Sequence, residues 1–310
     1  MQKPPTMGMT EWVLLIVLSV LWGGSFFFLK ILVDVLPPFT VVFGRVGIAA
    51  VAMNALLLLR RDPMPVSPRL WMSFIVMGLL NNVLPFCLFA WAEVRLTSGL
   101  AAILNATTPI FTVIVAHGLT RDERLSPAKG FGVLFGFAGV AVLIGPDVLR
   151  GFASADLPGE IGCLAAALLY AFAGIYGRRF RGIPALKVAT GQVTASAFVM
   201  LPVAAVADRF WALPAPGAVA WGALAGIALL STALAYLLYF RILAVAGATN
   251  VVLVTFLLPI STLILGSLFL GEPITIAACA GMALIACGLA AIDGRLLRAA
   301  RLRLFARNAS

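Results

Sequence analysis

The chain has 310 residues, 62% of them hydrophobic and 11% charged, with a formal net charge of +10 and a mean hydropathy of +1.08. Soluble globular domains run at about 45–50% apolar and about 25% charged residues, so these figures exclude one and indicate an integral membrane chain. Apolar stretches recur from end to end, which leaves no separate soluble domain of ordinary size.

Ten segments approach or exceed the roughly 20 residues a helix needs to cross a bilayer. The first, 12–29, contains Trp22 and Ser25; Lys30 and Asp34 follow it without a small-residue cleavage pattern, so it reads as a retained helix and not a signal peptide. The second, 39–59, begins after Pro37-Pro38 and carries Arg45 about 9 Å in, at 1.5 Å per residue. Snorkelling, structural pairing and attraction of a carboxylate are all open to this intramembrane charge, with the first two ranked ahead. The third, 70–92, holds Asn81, Asn82 and Pro85. The fourth, 97–119, holds Asn105, Thr108 and Pro109 and ends near His117, the single histidine, whose place near a helix end favours a solvated role. The fifth, 128–145, stops at Gly145-Pro146-Asp147. The sixth to tenth, 159–177, 186–206, 217–240, 246–270 and 273–292, contain Tyr170, Ser231, Thr232, Thr255 and Pro259.

Lys and Arg resist translocation and collect in cytoplasmic loops. With the N-terminus inside, 17 of them fall on inside segments and 4 on outside segments, Arg45 lying within a helix. Both termini are therefore expected in the cytoplasm. The positive charge, including the tail from Arg295 to Arg307, reads as a topology signal facing an anionic leaflet, and no nucleic-acid partner is needed. Cys87, Cys163, Cys279 and Cys287 lie in apolar segments without CxxC spacing or nearby His, so neither a disulfide framework nor a metal site is expected. No GxxxxGK[ST] stretch is present for an ATP-driven pump, and no cofactor is expected. An intramembrane enzyme is the competing reading from another class, but a single His is thin support for it.

The chain repeats itself. Pro109 precedes Glu123 by 14 residues and Pro259 precedes Glu272 by 13; Gly132, Gly139 and Gly145 follow the first glutamate, Gly281, Gly288 and Gly294 the second. Trp22 falls opposite Tyr170, Lys30 opposite Arg178, Pro38 opposite Pro184, Gly44-Arg45 opposite Gly191-Gln192, and Phe89 opposite Tyr239. Each half, 1–147 and 148–310, contains five segments, and an odd number of crossings inverts the second copy in the membrane. The expected fold is all-α and polytopic, ten transmembrane helices as two inverted five-helix repeats, an arrangement that exposes a central site to each side in turn. Pro85, Pro109 and Pro259 are candidate kinks or gates. Glu123 and Glu272 read as charges favouring the dipole of the helix that follows each.

This pattern of central proline, loop glutamate and glycine-rich last helix, with the opening Trp22-Gly23-Gly24-Ser25-Phe26, resembles the EamA-type branch of the drug/metabolite transporter superfamily over almost the whole chain. The resemblance implies a ten-helix fold and export of small metabolites across the inner membrane, with bacterial amino-acid exporters the nearest match.

None of the 12 acidic residues falls in the middle of a predicted helix. Ion-coupled carriers often use buried carboxylates, so transport driven by the substrate's own gradient is expected. Recognition then falls to uncharged groups at comparable depth: Trp22, Ser25, Asn81, Asn82, Asn105, Thr108, Tyr170, Ser231, Thr232 and Thr255. Amides and aromatic faces suit a zwitterion with a hydrophobic or aromatic side chain. Multidrug or other metabolite export is the alternative. The expected partners are a small-molecule substrate and the lipid bilayer, with no obligate protein partner.

Overall fold

The computed structural model describes residues 8–119, 127–150, 156–246, 251 and 253–293, and every regular element among them is helical. In chain order these are α1 (Met9–Val33), α2 (Pro38–Leu59), α3 (Pro68–Glu93), α4 (Ser98–Leu119), α5 (Pro127–Arg150), α6 (Leu157–Phe180), α7 (Ala185–Ala207), α8 (Ala218–Leu243), α9 (Val254–Leu270) and α10 (Ile276–Asp293). Seven of them are long and apolar enough to cross a membrane; α5, α9 and α10 contribute the shorter apolar stretches Gly130–Leu143, Val254–Leu270 and Ile276–Ala291. Val13, Ile16, Val17 and Val20 on α1, and Phe131, Leu134 and Phe135 on α5, are exposed. Such faces suit lipid, where helices satisfy their backbone groups internally. Glu123 and the tail Arg295–Arg307 lie outside the described residues.

Local chemistry sets the helix ends. Pro38 and Pro68 occupy first positions, where a missing N–H costs nothing. The Thr97 hydroxyl accepts from the Leu100 N–H at 3.3 Å to start α4. Gly271, at φ +67°, ends α9 in the left-handed conformation that glycine adopts without strain. The stop expected at Gly145-Pro146-Asp147 is corrected: α5 runs on to Arg150, since one lost backbone bond in the final turns need not end a helix.

Proline acts in three ways. Pro85 stands two residues after a wide, π-type turn at Leu79–Val83; its ring crowds the carbonyl four residues back, and widening the turn relieves this. Pro109 is the second residue of a new helical segment after α4 breaks at Ala106–Thr107. Pro259 sits inside an uninterrupted α9. A second wide turn, Gly226–Leu234 in α8, contains the first one shifted by 150 residues, yet Ala235 stands where Pro85 would fall. There the Thr232 hydroxyl donates to the Ile227 carbonyl five residues back at 2.8 Å.

Packing follows one pattern twice. α1 packs on α9 as α6 packs on α4; α3 packs on α6 as α8 packs on α1; α3 packs on α7 as α8 packs on α2. Across the halves α2 pairs with α7, α4 with α9 and α5 with α10. Exchanging the two sets of five helices leaves these pairings unchanged. Four of the repeated glycines form the α5–α10 seam, Gly294 lying outside the described residues: a Cβ on Gly139 would lie 2.8 Å from the Gly281 carbonyl oxygen, and one on Gly288 2.5 Å from that of Gly132.

Acidic residues clamp the halves together at the helix ends. Asp208, after α7, accepts from the Thr40 N–H at 2.7 Å and the Thr40 hydroxyl at 2.9 Å in the first turn of α2. Its counterpart Asp62, after α2, lies 2.6 Å from Lys187 in the first turn of α7. Glu272 accepts from the Ser98 N–H at 2.8 Å, the Ser98 hydroxyl at 2.7 Å and the Gly99 N–H at 3.3 Å. This corrects the expected role of Glu272: the helix start it caps belongs to α4 in the other half, not to the α10 that follows it. Close packing decides the matter, because Gly266 leaves room for the carboxylate, 2.5 Å from where a Cβ would stand.

Candidate functional site

The two wide turns face helices α2 and α7, and Arg45, Asn81, Asn82 and Thr232 of the polar candidates gather there. In α3, the Asn81 amide donates to Gln192 Oε1 at 3.2 Å and to the Tyr236 hydroxyl at 3.1 Å. That hydroxyl donates to Asn82 Oδ1 at 3.1 Å, the Asn82 amide donates to Ser196 Oγ at 3.1 Å, and Ser196 donates to the Gln192 carbonyl at 2.7 Å. Asn82, 0% exposed, is thus held from two helices. A chain of this kind fixes rotamers, because each member stands to lose a buried bond.

The opposite turn is built from different letters. Arg45 Nε donates to the Thr232 hydroxyl at 3.0 Å, and the guanidinium lies 3.6 Å from the centre of the Phe86 ring, within cation–π range. Arg45 is 7% exposed, so it does not snorkel: α2 buries it at a depth where its stem reaches no helix end. Its remaining neighbours in charge are Tyr170, Tyr236 and Glu93, and among the described residues no carboxylate lies within ion-pair distance of it. Positions 45 and 192 are repeat-related, so one half presents a cation where the other presents an amide.

Aromatic side chains repeat the same exchange. Trp22 on α1 packs against Tyr239 on α8 with centroids 5.5 Å apart. Tyr170 on α6 stacks on Phe89 of α3 at 6.2 Å.

The remaining candidates are less tightly joined. Ser25 is buried on α1; Asn105 and Thr108 flank the break in α4, where the Thr108 hydroxyl bonds back to the Asn105 carbonyl at 2.8 Å. None of these three shares a hydrogen bond with the Arg45 and Asn81 cluster. Thr255 lies in the first turn of α9. Buried oxygens of Asn105 and Ser231 have no hydrogen-bond partner among the described residues. Phe86, Gln192, Ser196 and Tyr236 were not among the sequence candidates. Phe86 and Tyr236 are 150 residues apart, as are Phe89 and Tyr239, so carrying the repeat offset along α3 would have marked both.

Two acidic residues alter the electrostatic picture drawn from sequence. Glu93, the last residue of α3, and Glu160, in the first turn of α6, are each 0% exposed. Both lie at helix ends, as the sequence indicated, but helix contact buries them. Gly159 lets α6 approach Leu96 and Ala92, and Gly162 lets it approach Trp91. Neither Glu93 carboxylate oxygen has a hydrogen-bond partner among the described residues, while the neighbouring Lys30 ammonium donates to the Glu93 carbonyl at 2.8 Å. An ionised, unbonded carboxylate is costly to bury. Glu93→Gln should therefore keep thermal unfolding in detergent within the few degrees that about 1 kcal/mol produces, and Glu93→Lys should lose folded protein.

Trp91, Trp211 and Trp221 are exposed on the outer surface, as interfacial anchors would be. His117 is exposed at the end of α4.

Known proteins share this organisation. Residues 10–145 and 157–292 each match the family described as EamA-like transporter. The uncharacterized transporter YoaV of Bacillus subtilis (strain 168) is 26% identical over 280 residues, 89% of this chain and 94% of its own length. The uncharacterized inner membrane transporter YedA of Escherichia coli (strain K12) is 27% identical over 264 residues, covering 84% and 83%. A solved crystal structure superimposes with a TM-score of 0.66 at 21% identity over 93% of this chain and 98% of its own, a likeness of fold. With both halves matched, the chain belongs to the EamA-like transporter family and is a multi-pass membrane transporter.

Proposed function

We propose that the protein exports small amphipathic metabolites, foremost amino acids with hydrophobic or aromatic side chains, by alternating access across the cytoplasmic membrane with both termini inside. The observation that carries this reading is the exchange symmetry of helix packing around a central polar cluster. Five helices per half make that symmetry an inversion, and inverted halves can trade two related arrangements about one site. Asn81, Asn82, Tyr170 and Tyr236 supply donors, acceptors and apolar faces, and Trp22 supplies a further ring.

Coupling to the substrate's own gradient is the preferred reading, because Glu93 and Glu160 lie at helix ends and, among the described residues, Glu93 meets the central cluster only through its charge interaction with Arg45. Counterflow in proteoliposomes tests both points with amino acids, nucleosides and cationic drugs, each with and without a pH gradient. Saturable, stereoselective amino-acid exchange without a gradient is expected. Unsaturable flux would remove the carrier mechanism. Exchange that required the pH gradient would remove the uncoupled one and direct attention to Glu93 and Glu160.

A further inference from the structure

We infer that Arg45 seats a carboxylate of the substrate, so that the transported class is defined by an organic anion with an apolar body and not by an amino group; this rests on the carrier reading above. The argument begins with an imbalance. Arg45 is buried, uses Nε on Thr232, and makes no hydrogen bond from either terminal nitrogen among the described residues. A buried guanidinium without a paired anion is costly, and a planar carboxylate fits its two terminal nitrogens side by side.

The fold supplies its own control. At the repeat-related position Gln192 fills the same place with no charge and is bonded to Asn81. The architecture therefore works with a neutral amide at this point, and the charge on Arg45 exceeds what packing needs. An aromatic face suits the rest of such a ligand: Phe86 lies under the guanidinium, whose charge also interacts with Tyr170, Tyr236 and Glu93. Opposite it, the Asn81 and Asn82 amides donate to Gln192, Tyr236 and Ser196, whereas both terminal nitrogens of Arg45 keep their donors.

Proteoliposome counterflow of phenylalanine, 3-phenylpropionate and phenethylamine separates the possibilities. Wild-type protein should exchange the first two and reject the amine. Arg45→Gln, the residue the other half carries, should fold like wild type and lose exchange of both acids by about tenfold or more, with Arg45→Lys in between. Exchange of phenethylamine as fast as the acids by the wild type would overturn the inference while leaving the carrier intact, and needs no variant. Undiminished acid exchange by folded Arg45→Gln would overturn it equally. Failure of all three compounds alongside brisk nucleoside or cationic-drug flux would remove the amino-acid reading and this inference with it.

Discussion

Gly288→Val should abolish the folded bundle. A Cβ at Gly288 would stand 2.5 Å from the Gly132 carbonyl oxygen and 2.8 Å from the Gly136 nitrogen. Both atoms are backbone, so no side-chain rotation relieves the contact, and α5 and α10 must separate along their length. Overpacking in a core costs about 1–3 kcal/mol when side chains can adjust; here the upper end is the minimum, against total stabilities of about 5–15 kcal/mol. The loss also reaches beyond the local clash, since the seam depends on close backbone approach in a lipid setting where apolar burial adds little. Gly222→Val is the control, because a Cβ there meets nothing within 4 Å. Size-exclusion profiles and thermal unfolding in detergent should show the first variant aggregated and the second like wild type. A monodisperse, wild-type-like Gly288→Val would refute the seam.

Glu272→Ala should open the end of the bundle where α4 begins. Its carboxylate accepts three hydrogen bonds from Ser98 and Gly99, a charge-assisted cap on a helix start of the opposite half. Bonds to a charged group contribute about 1.5–3 kcal/mol, and a bias of about 1.4 kcal/mol changes a two-state ratio tenfold. A single cysteine at Asn105, in a background with Cys87, Cys163, Cys279 and Cys287 replaced, should react with a membrane-impermeant maleimide about tenfold faster in Glu272→Ala when labelled from that side. Glu272→Gln should fall between the two, because its amide oxygen retains one acceptor. Unchanged labelling combined with lower thermal stability would reduce Glu272 to a static cap.

Much of the frame could be read from the letters. The apolar segments overlie helices because a chain in lipid must bond its own backbone, and the duplicated glycine spacing reappears as paired packing. Gly132, Gly139, Gly281 and Gly288 meet each other at the α5–α10 seam, which explains their recurrence better than any role in recognition. Trp22, Tyr170, Asn81, Asn82, Thr232 and Arg45 do gather near the centre. Thr108 takes the bland course of bonding to its own preceding turn. The second wide turn was illegible, since no proline announces it. The order of the chain points Glu272 at α10, whereas space sets it beside α4.

By itself the sequence determined that this is a membrane chain, that it is duplicated, and where most helices lie, the end of α5 excepted, because hydropathy, repeat spacing and cap chemistry act over a few residues. Tertiary structure decided which polar groups are satisfied. Arg45 meets Thr232 across 187 positions of sequence, and Ser98 meets Glu272 across 174; Glu93 is closed off by glycines of another helix. Such facts depend on which helix faces bury one another, and in lipid that choice rests on small residues permitting close approach more than on an apolar stripe legible in the chain.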